Sequence, residues 1–170
     1  LFTFSNFPIF MGCVNTKKDY DLTSDMRWFI SKNTGLIQLN PLIPLDVLYA
    51  QSHGSGVIGK IWSEHHAEFA SFISKFNVKN ILEIGAGHGE LCRNYLYEHK
   101  DAKWTIIEPN PKIESDHNVT VIKGLFDSNF KIPNGINAVV HSHVIEHLYE
   151  PMEILSDIAE KLKEGDLHLF

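Results

Sequence analysis

The sequence predicts an α/β protein built on a doubly wound parallel sheet, and three observations predict it. Ile81 to Ile84 is a short continuous apolar run, as a strand buried on both faces requires. It ends in glycines at alternate positions, Gly85, Gly87 and Gly89, and passes directly into a helix-like segment, Glu90 to His99. Three further apolar runs follow, Trp104–Ile107, Val119–Ile122 and Ala138–His141, with intervening segments long enough for crossovers.

A strand that runs through a glycine turn into a helix is the usual cradle for a nucleotide-like ligand, because glycine admits unusual dihedrals and lets a ligand approach without meeting a Cβ. Dinucleotide folds space these glycines as Gly-x-Gly-x-x-Gly. Here the third glycine, Gly89, comes one residue early, and Glu90 stands where that motif needs glycine. A carboxylate there faces a pyrophosphate unfavourably. Glu83, inside the strand, suits a cationic or hydroxyl-bearing ligand end. The bland alternative is a tight strand-to-helix turn with no ligand.

The second run ends in Glu108-Pro109. An acid at the end of the second strand of a βαβ unit can accept both ribose hydroxyls of an adenosine, or it is a solvated strand-end carboxylate. The third run leads into Gly124-Leu125-Phe126-Asp127, where Leu125 and Phe126 read most simply as core residues under a loop. The fourth runs into Ser142-His143-Val144-Ile145-Glu146-His147, then Leu148 to Pro151 and an amphipathic helix from Met152 to Leu162. The end of that strand adjoins the first, at the switch point where doubly wound sheets bind ligands. His143, Glu146 and His147 therefore lie where a proton can be taken from a substrate nucleophile, against capping or packing roles for each histidine alone.

The Glu83–Gly89 segment, E-x-G-x-G-x-G, resembles motif I of the class I S-adenosylmethionine (SAM)-dependent methyltransferases, and Ser142–Pro151 resembles their motif IV. The resemblance spans residues 80–165, and the order of its four features is more specific than any one of them. It implies a Rossmann-like sheet of strand order 3-2-1-4-5-7-6 and SAM as cofactor. The cofactor would be held by Glu83, Gly85, Ala86, Gly87, Glu108, Pro109, Leu125 and Ser142, with Ser55 from an upstream turn; in the family the loop after the third strand flanks the adenine, which would put Leu125 or Phe126 on the ring and Asp127 at its amino group. It implies His147, with His143 or Glu146 nearby, as the proton-accepting group. Asp166–Phe170 reads as the start of the fifth strand, so the domain is expected to be truncated there.

Length and composition fit one compact domain of residues 57–170 behind an N-terminal extension of residues 1–56. A chain of 170 residues, 44% apolar and 21% charged, can bury one good core. A net charge of −6, with Lys17-Lys18 the only lysine pair, argues against a nucleic-acid partner. The two cysteines, Cys13 and Cys92, lie far apart and read as reduced thiols of a cytoplasmic protein. No apolar run approaches the ~18 residues of a membrane span. The start lacks both the basic region of a secretory signal and an initiator Met, so the first residues of the natural chain are expected to be absent.

Residues 1–48 suggest short strands and turns, with Gly35–Leu39 an alternating strand. A helix is expected from about Val57 to Phe76, its apolar set Val57, Ile58, Ile61, Trp62, Phe69, Phe72, Ile73 and Phe76 lying on the sheet. His65 and His66, near Glu64 and Glu68, read as a partly exposed polar face. This region resembles a narrower group, the sugar C-methyltransferase-like proteins of bacterial surface-polysaccharide and antibiotic-sugar pathways. Their small zinc module ends in Cys-x-x-Cys-Gly-x-x-Gln-Leu, and Ser31–Leu39 preserves that frame with Ser31 and Thr34 at the cysteine positions. Neutral hydroxyls are poor zinc ligands, so no structural metal is expected.

Ser52-His53-Gly54-Ser55 matches the family's Ser-rich turn, which reaches the amino-acid end of SAM; Tyr49 stands near its tyrosine, out of register. His147 matches a histidine proposed as base in such enzymes. The implied acceptor is a small activated building block of capsule or surface polysaccharide, a sugar nucleotide or a phosphoramidate-type compound. O-methylation is favoured over C-methylation because the module's cysteines are replaced. An NAD(P)-dependent oxidoreductase and a non-catalytic SAM-binding domain are the alternatives.

Overall fold

In the computed structural model, residues 1–9, 21–50 and 59–170 are described, and the chain divides into two compact units, Leu1–Ala50 and Gln51–Phe170. The first is a small antiparallel sheet of order β1-β2-β3, formed by β1 (Phe2–Pro8), β2 (Thr23–Ile30) and β3 (Ile37–Leu39), followed by the single turn α1 (Leu45–Leu48). Trp28 is opposite Phe2 on one side and Leu39 on the other. None of the described residues of this unit is buried.

The β2–β3 turn carries the frame in which hydroxyls replace cysteines, and those hydroxyls hold it closed. Thr34 donates its amide to Ser31 Oγ at 3.3 Å, and Leu36 donates its amide to Thr34 Oγ1 at 3.3 Å. Backbone bonds from Ser31 to the Leu36 carbonyl (2.8 Å) and from Gly35 to the Ser31 carbonyl (2.9 Å) complete it. Local side-chain-to-backbone bonds of this kind stabilise tight turns. Among the described residues no group of three or more His, Cys, Asp or Glu side chains is placed to hold a metal ion.

The second unit alternates helix and strand: α2 (Lys60–Ser74), β4 (Asn80–Ile84), α3 (Glu90–Glu98), β5 (Lys103–Glu108), β6 (Val119–Lys123), β7 (Ala138–His141), α4 (Pro151–Lys161) and β8 (Leu167–Leu169). Its sheet has the order β6-β5-β4-β7-β8 and every pair is parallel. This is the expected 3-2-1-4-5 order, with β8 as the fifth strand. The sheet is Rossmann-like, and β4 lies at its centre because Ile81–Ile84 can be buried on both faces.

Side chains alternate across the sheet. Ile81, Trp104, Ile106, Ala138 and Val140 face Ala70 and Ile73 of α2 and Leu91, Cys92 and Tyr95 of α3; Leu82, Ile84, Ile107 and Val139 pack with Ile158 of α4 on the other face. The Tyr95 hydroxyl finds the Val78 carbonyl at 2.6 Å, which satisfies a polar group inside that layer. Pro151 opens α4 at a position where its missing amide costs nothing.

One expectation for α2 needs correcting. Val57 and Ile58 lie outside the described residues, and Ile61 is 82% exposed, with Phe72 and Phe76 also exposed. At about 100° per residue the packed stripe runs through Trp62, His65, His66, Phe69, Ala70 and Ile73, so Ile61 falls off it. His65 and His66 are half-buried on that stripe, not on an opposite polar face. No helix among the described residues is long and apolar enough to cross a membrane.

Candidate functional site

The carboxyl ends of β4, β5 and β7 bring together most of the residues that the sequence singles out. After β4 the chain turns through Gly85, Gly87 and Gly89, all at positive φ (74°, 53° and 74°). The three glycines do different work. A Cβ on Gly85 would stand 2.6 Å from Val144 Cγ2, and one on Gly89 2.7 Å from Ile113 Cδ1, so these two permit close packing of protein on protein. A Cβ on Gly87 would meet nothing within 4 Å. Gly87 is the position of the loop that opens outward. Ala86, between them, packs against the core.

Glu108, at the end of β5, closes on this loop. Its Oε2 accepts the Gly87 amide at 3.0 Å and its Oε1 accepts the Asn110 amide at 2.9 Å. Lys112 donates its amide back to the Gly87 carbonyl at 3.0 Å, tying the loop to the segment beyond β5. Glu108 and Pro109 are both half-buried. Each carboxylate oxygen accepts one amide and keeps a second lone pair for a hydroxyl donor.

Glu83 points to the α2/α3 face and is buried at 5% exposure. Its Oε2 accepts the Trp104 indole N–H at 2.7 Å. Burial raises its pKa to about 8, the neighbouring Glu108 charge adds to the rise, and the Trp104 bond and the Arg93 charge oppose it. Glu90 is the first residue of α3 and is paired with Arg93 at 2.6 Å. Leu125 is exposed, whereas Phe126 is buried against Phe130 in the core below α4. Asp127 uses Oδ1 to accept the Asn129 amide at 2.9 Å, closing its own loop.

Beyond β7, His143 adopts a left-handed φ of 54°, unusual for a side chain of its size. Its Nδ1 lies 3.3 Å from Glu146 Oε1. Glu146 is held below the usual carboxylate range, first by its own backbone amide and also by His147 and His143. Ile145–His147 form a single 3₁₀ turn, with His147 exposed at its end. His141, Ser142, His143, Glu146 and Phe170 line a cleft at this edge. Ser55 lies outside the described residues.

The pattern reading missed the contribution of α2. His65 Nε2 lies 2.7 Å from Ser142 Oγ, and its ring centroid is 5.2 Å from that of His143. Trp62 stands edge-on to His143 at 4.8 Å and stacks near His66 at 6.2 Å. Burial lowers the His65 pKa, and the charges of His66 and His143 lower it further. The available signal was the helical spacing Trp62–His65/His66–Phe69–Ile73, which places the histidines on the packed stripe.

A parallel sheet with a glycine loop after its central strand and an acid bonded to that loop defines a nucleoside-cofactor domain. A family model described as a methyltransferase domain matches residues 60–170. The chain belongs to that methyltransferase-domain family. A search of curated proteins gave no match. Among solved structures the chain is similar in fold to human N-acetylserotonin methyltransferase in complex with SAM, at 14% identity and a TM-score of 0.53, covering 63% of this chain and 33% of that one. It is also similar to the mitomycin 7-O-methyltransferase MmcR, at 17% identity and a TM-score of 0.52, covering 72% of this chain and 43% of that one. The chain thus spans well under half the length of these structures.

Proposed function

We propose that this chain is the cofactor-binding part of a SAM-dependent methyltransferase. The observation that carries the reading is the bond from the Gly87 amide to the Glu108 carboxylate beside the open face of Gly87. A nucleoside laid over Gly87 meets no Cβ and finds carboxylate lone pairs for its ribose hydroxyls, so these residues fit the group. Glu83, Gly85, Ala86, Gly87, Glu108, Pro109, Leu125 and Ser142 are its contacts in this reading, and Ser55 joins them from upstream.

Bound there, the cofactor supplies a methyl group already activated by its sulfonium. The chain must align an acceptor and take up its proton. Alignment can supply ~7–11 kcal/mol, and a general base a factor of ~10²–10⁴. His147, His143 and Glu146 make up the proton-accepting end. Glu146, its carboxyl held below the usual range, stands anionic 3.3 Å from His143 Nδ1 at this end.

The acceptor in this reading is a small activated building block of bacterial capsule or surface polysaccharide, a sugar nucleotide or phosphoramidate-type compound, handled in the cytoplasm. The support is the Ser31–Leu39 frame, and hydroxyls at its cysteine positions favour O- over C-methylation. Nucleic acid is not a partner in this reading, which the net charge of −6 supports.

Calorimetry with S-adenosylhomocysteine (SAH) and with NAD tests the class: SAH is expected to bind and NAD not to. Tight NAD binding without SAH binding means an oxidoreductase. Labelled-methyl transfer to a sugar-nucleotide panel then separates an enzyme from a non-catalytic binding domain. His147→Ala with full turnover would remove His147 from the proposed base.

A further inference from the structure

We propose that α2 supplies one wall of the acceptor site: Trp62 takes the apolar face of a neutral hydroxyl-bearing ring, and His65 Nε2 holds the hydroxyl to be methylated where it now holds Ser142 Oγ. The inference rests on the methyltransferase reading and assigns to α2 a role that neither the sequence motifs nor the family match provides.

Four observations carry it. First, His65 already binds a hydroxyl, at 2.7 Å from Ser142 Oγ. Second, that hydroxyl sits at the switch point of the sheet. His141 pairs with Ile84 in the β4–β7 register, so Ser142 follows β7 as Gly85 follows β4, and the loop that opens at Gly87 begins beside it. Third, Trp62, His65 and His143 form a group of rings around this point, with centroids 4.8 Å (Trp62–His143), 5.2 Å (His65–His143) and 5.9 Å (Trp62–His65) apart. Trp62 and His65 are half-buried, so part of each surface remains open to a ligand. Fourth, the charge is wrong for an anion. Glu146 beside His143 is acidic, and Lys60 at the start of α2 is exposed and paired with Glu64 at 3.2 Å.

Indole faces and imidazole edges bind the apolar face and the hydroxyls of an uncharged ring. They do not neutralise a phosphate. If the acceptor carries a phosphate, this wall receives the part that bears the reacting hydroxyl. His65 is a positioning residue here: it fixes the hydroxyl while the His143–Glu146 pair across the ring group takes the proton. Burial and two neighbouring histidines keep His65 neutral, so it can form this bond without carrying a charge into the site. A sugar and a phenol share the chemistry that the wall recognises, and the experiment separates them.

The test loads the full chain with SAH and titrates it with two neutral probes, methyl β-D-glucopyranoside and phenol, following histidine and tryptophan side-chain resonances by NMR. Saturable shifts of His65 and Trp62 with either probe are expected. Affinity for that probe should fall about tenfold in His65→Gln, the loss of one hydrogen bond, and should also fall in Trp62→Leu. In His65→Gln the SAH affinity should fall less than the probe affinity, a split that a general loosening of the packed α2 stripe would not produce. The responding probe then names the acceptor as carbohydrate or aromatic. Shifts confined to the Phe170 side of the cleft, no saturable shift with either probe, or undiminished affinity in both variants overturns the proposal. SAH binding together with any of these outcomes leaves the cofactor reading standing; failure to bind SAH overturns both.

Discussion

Gly87 donates its amide hydrogen to Glu108 across 3.0 Å, and this bond joins the loop after the central strand to the end of its neighbour. A hydrogen bond to a carboxylate is worth more than one between neutral groups. The bond therefore fixes the loop and aims the Glu108 carboxylate in one step. Glu108→Gln replaces one of its two acceptor oxygens with an amide that cannot accept. SAH affinity is expected to fall about 10- to 100-fold, with the sheet intact by circular dichroism. Calorimetry that finds wild-type affinity would remove Glu108 from the site.

The glycines predict a separation between stability and binding. Gly85→Ala drives a Cβ to 2.6 Å from Val144 Cγ2 at a φ of 74°, so the second unit should lose about 1–3 kcal/mol, read by chemical denaturation. Gly87→Ala meets no protein atom and should cost only about 1 kcal/mol for its φ of 53°. It should nevertheless weaken SAH, because the methyl projects into the space assigned to the ligand. Equal loss of stability in the two variants would contradict this division.

The strands and their order were legible because each rests on a local rule: continuous apolar runs make buried strands, and an acid ends the second of them, although its bond to Gly87 was not legible. What was not legible depended on contacts across the fold. The sequence makes Gly85, Gly87 and Gly89 look alike, and only the positions of Val144 and Ile113 separate two packing glycines from one open one. Thr23–Ile30 was not read as a strand because Ser24, Asp25 and Arg27 interrupt its apolar residues, yet it is the central strand of the first unit. Glu64 and Glu68 beside it make His65 read as polar surface, although its helical phase is that of Trp62 and Phe69. The partner that gives it a role, Ser142, is 77 residues away.

Glu83 makes stability depend on pH in a stated direction. Its carboxyl ionises near the usual 4.5 in the unfolded chain and at about 8 when folded. Between these values the native state holds a proton that the unfolded state has released. Stability is thus fullest below about pH 4.5 and is lost as pH rises through about 8. The loss between about pH 5 and pH 8 is of order 3 kcal/mol. Glu83→Gln removes the titrating group, and its amide oxygen can still accept from the Trp104 indole. The melting temperature of the variant, measured against wild type across this range, should gain on wild type as pH rises. A constant difference would mean that Glu83 is already ionised in the folded protein.

His141 and His168 give the opposite slope on the acid side. Their Nε2 atoms lie 2.9 Å apart between β7 and β8, His141 is 3% exposed, and its ring stacks on Phe170 at 5.2 Å. One imidazole must donate and the other accept, and burial disfavours any added proton on the pair. Burial lowers the His141 pKa to about 4, with the His168 charge lowering it further and Glu146 opposing, and burial also lowers that of His168. Here the unfolded chain binds protons that the native state refuses. The stability is present above about pH 6.5 and is lost as pH falls towards 4, by about 3 kcal/mol for His141 alone. Replacing both residues, His141→Leu with His168→Leu, removes donor and acceptor together and leaves no buried polar group unpaired. The double variant should gain melting temperature relative to the wild type as pH falls from 7 to 5, because the groups the two proteins share, Glu83 among them, cancel in the difference. A difference in melting temperature between the two proteins that stays constant over that interval would show that the pair accepts a proton within its buried contact.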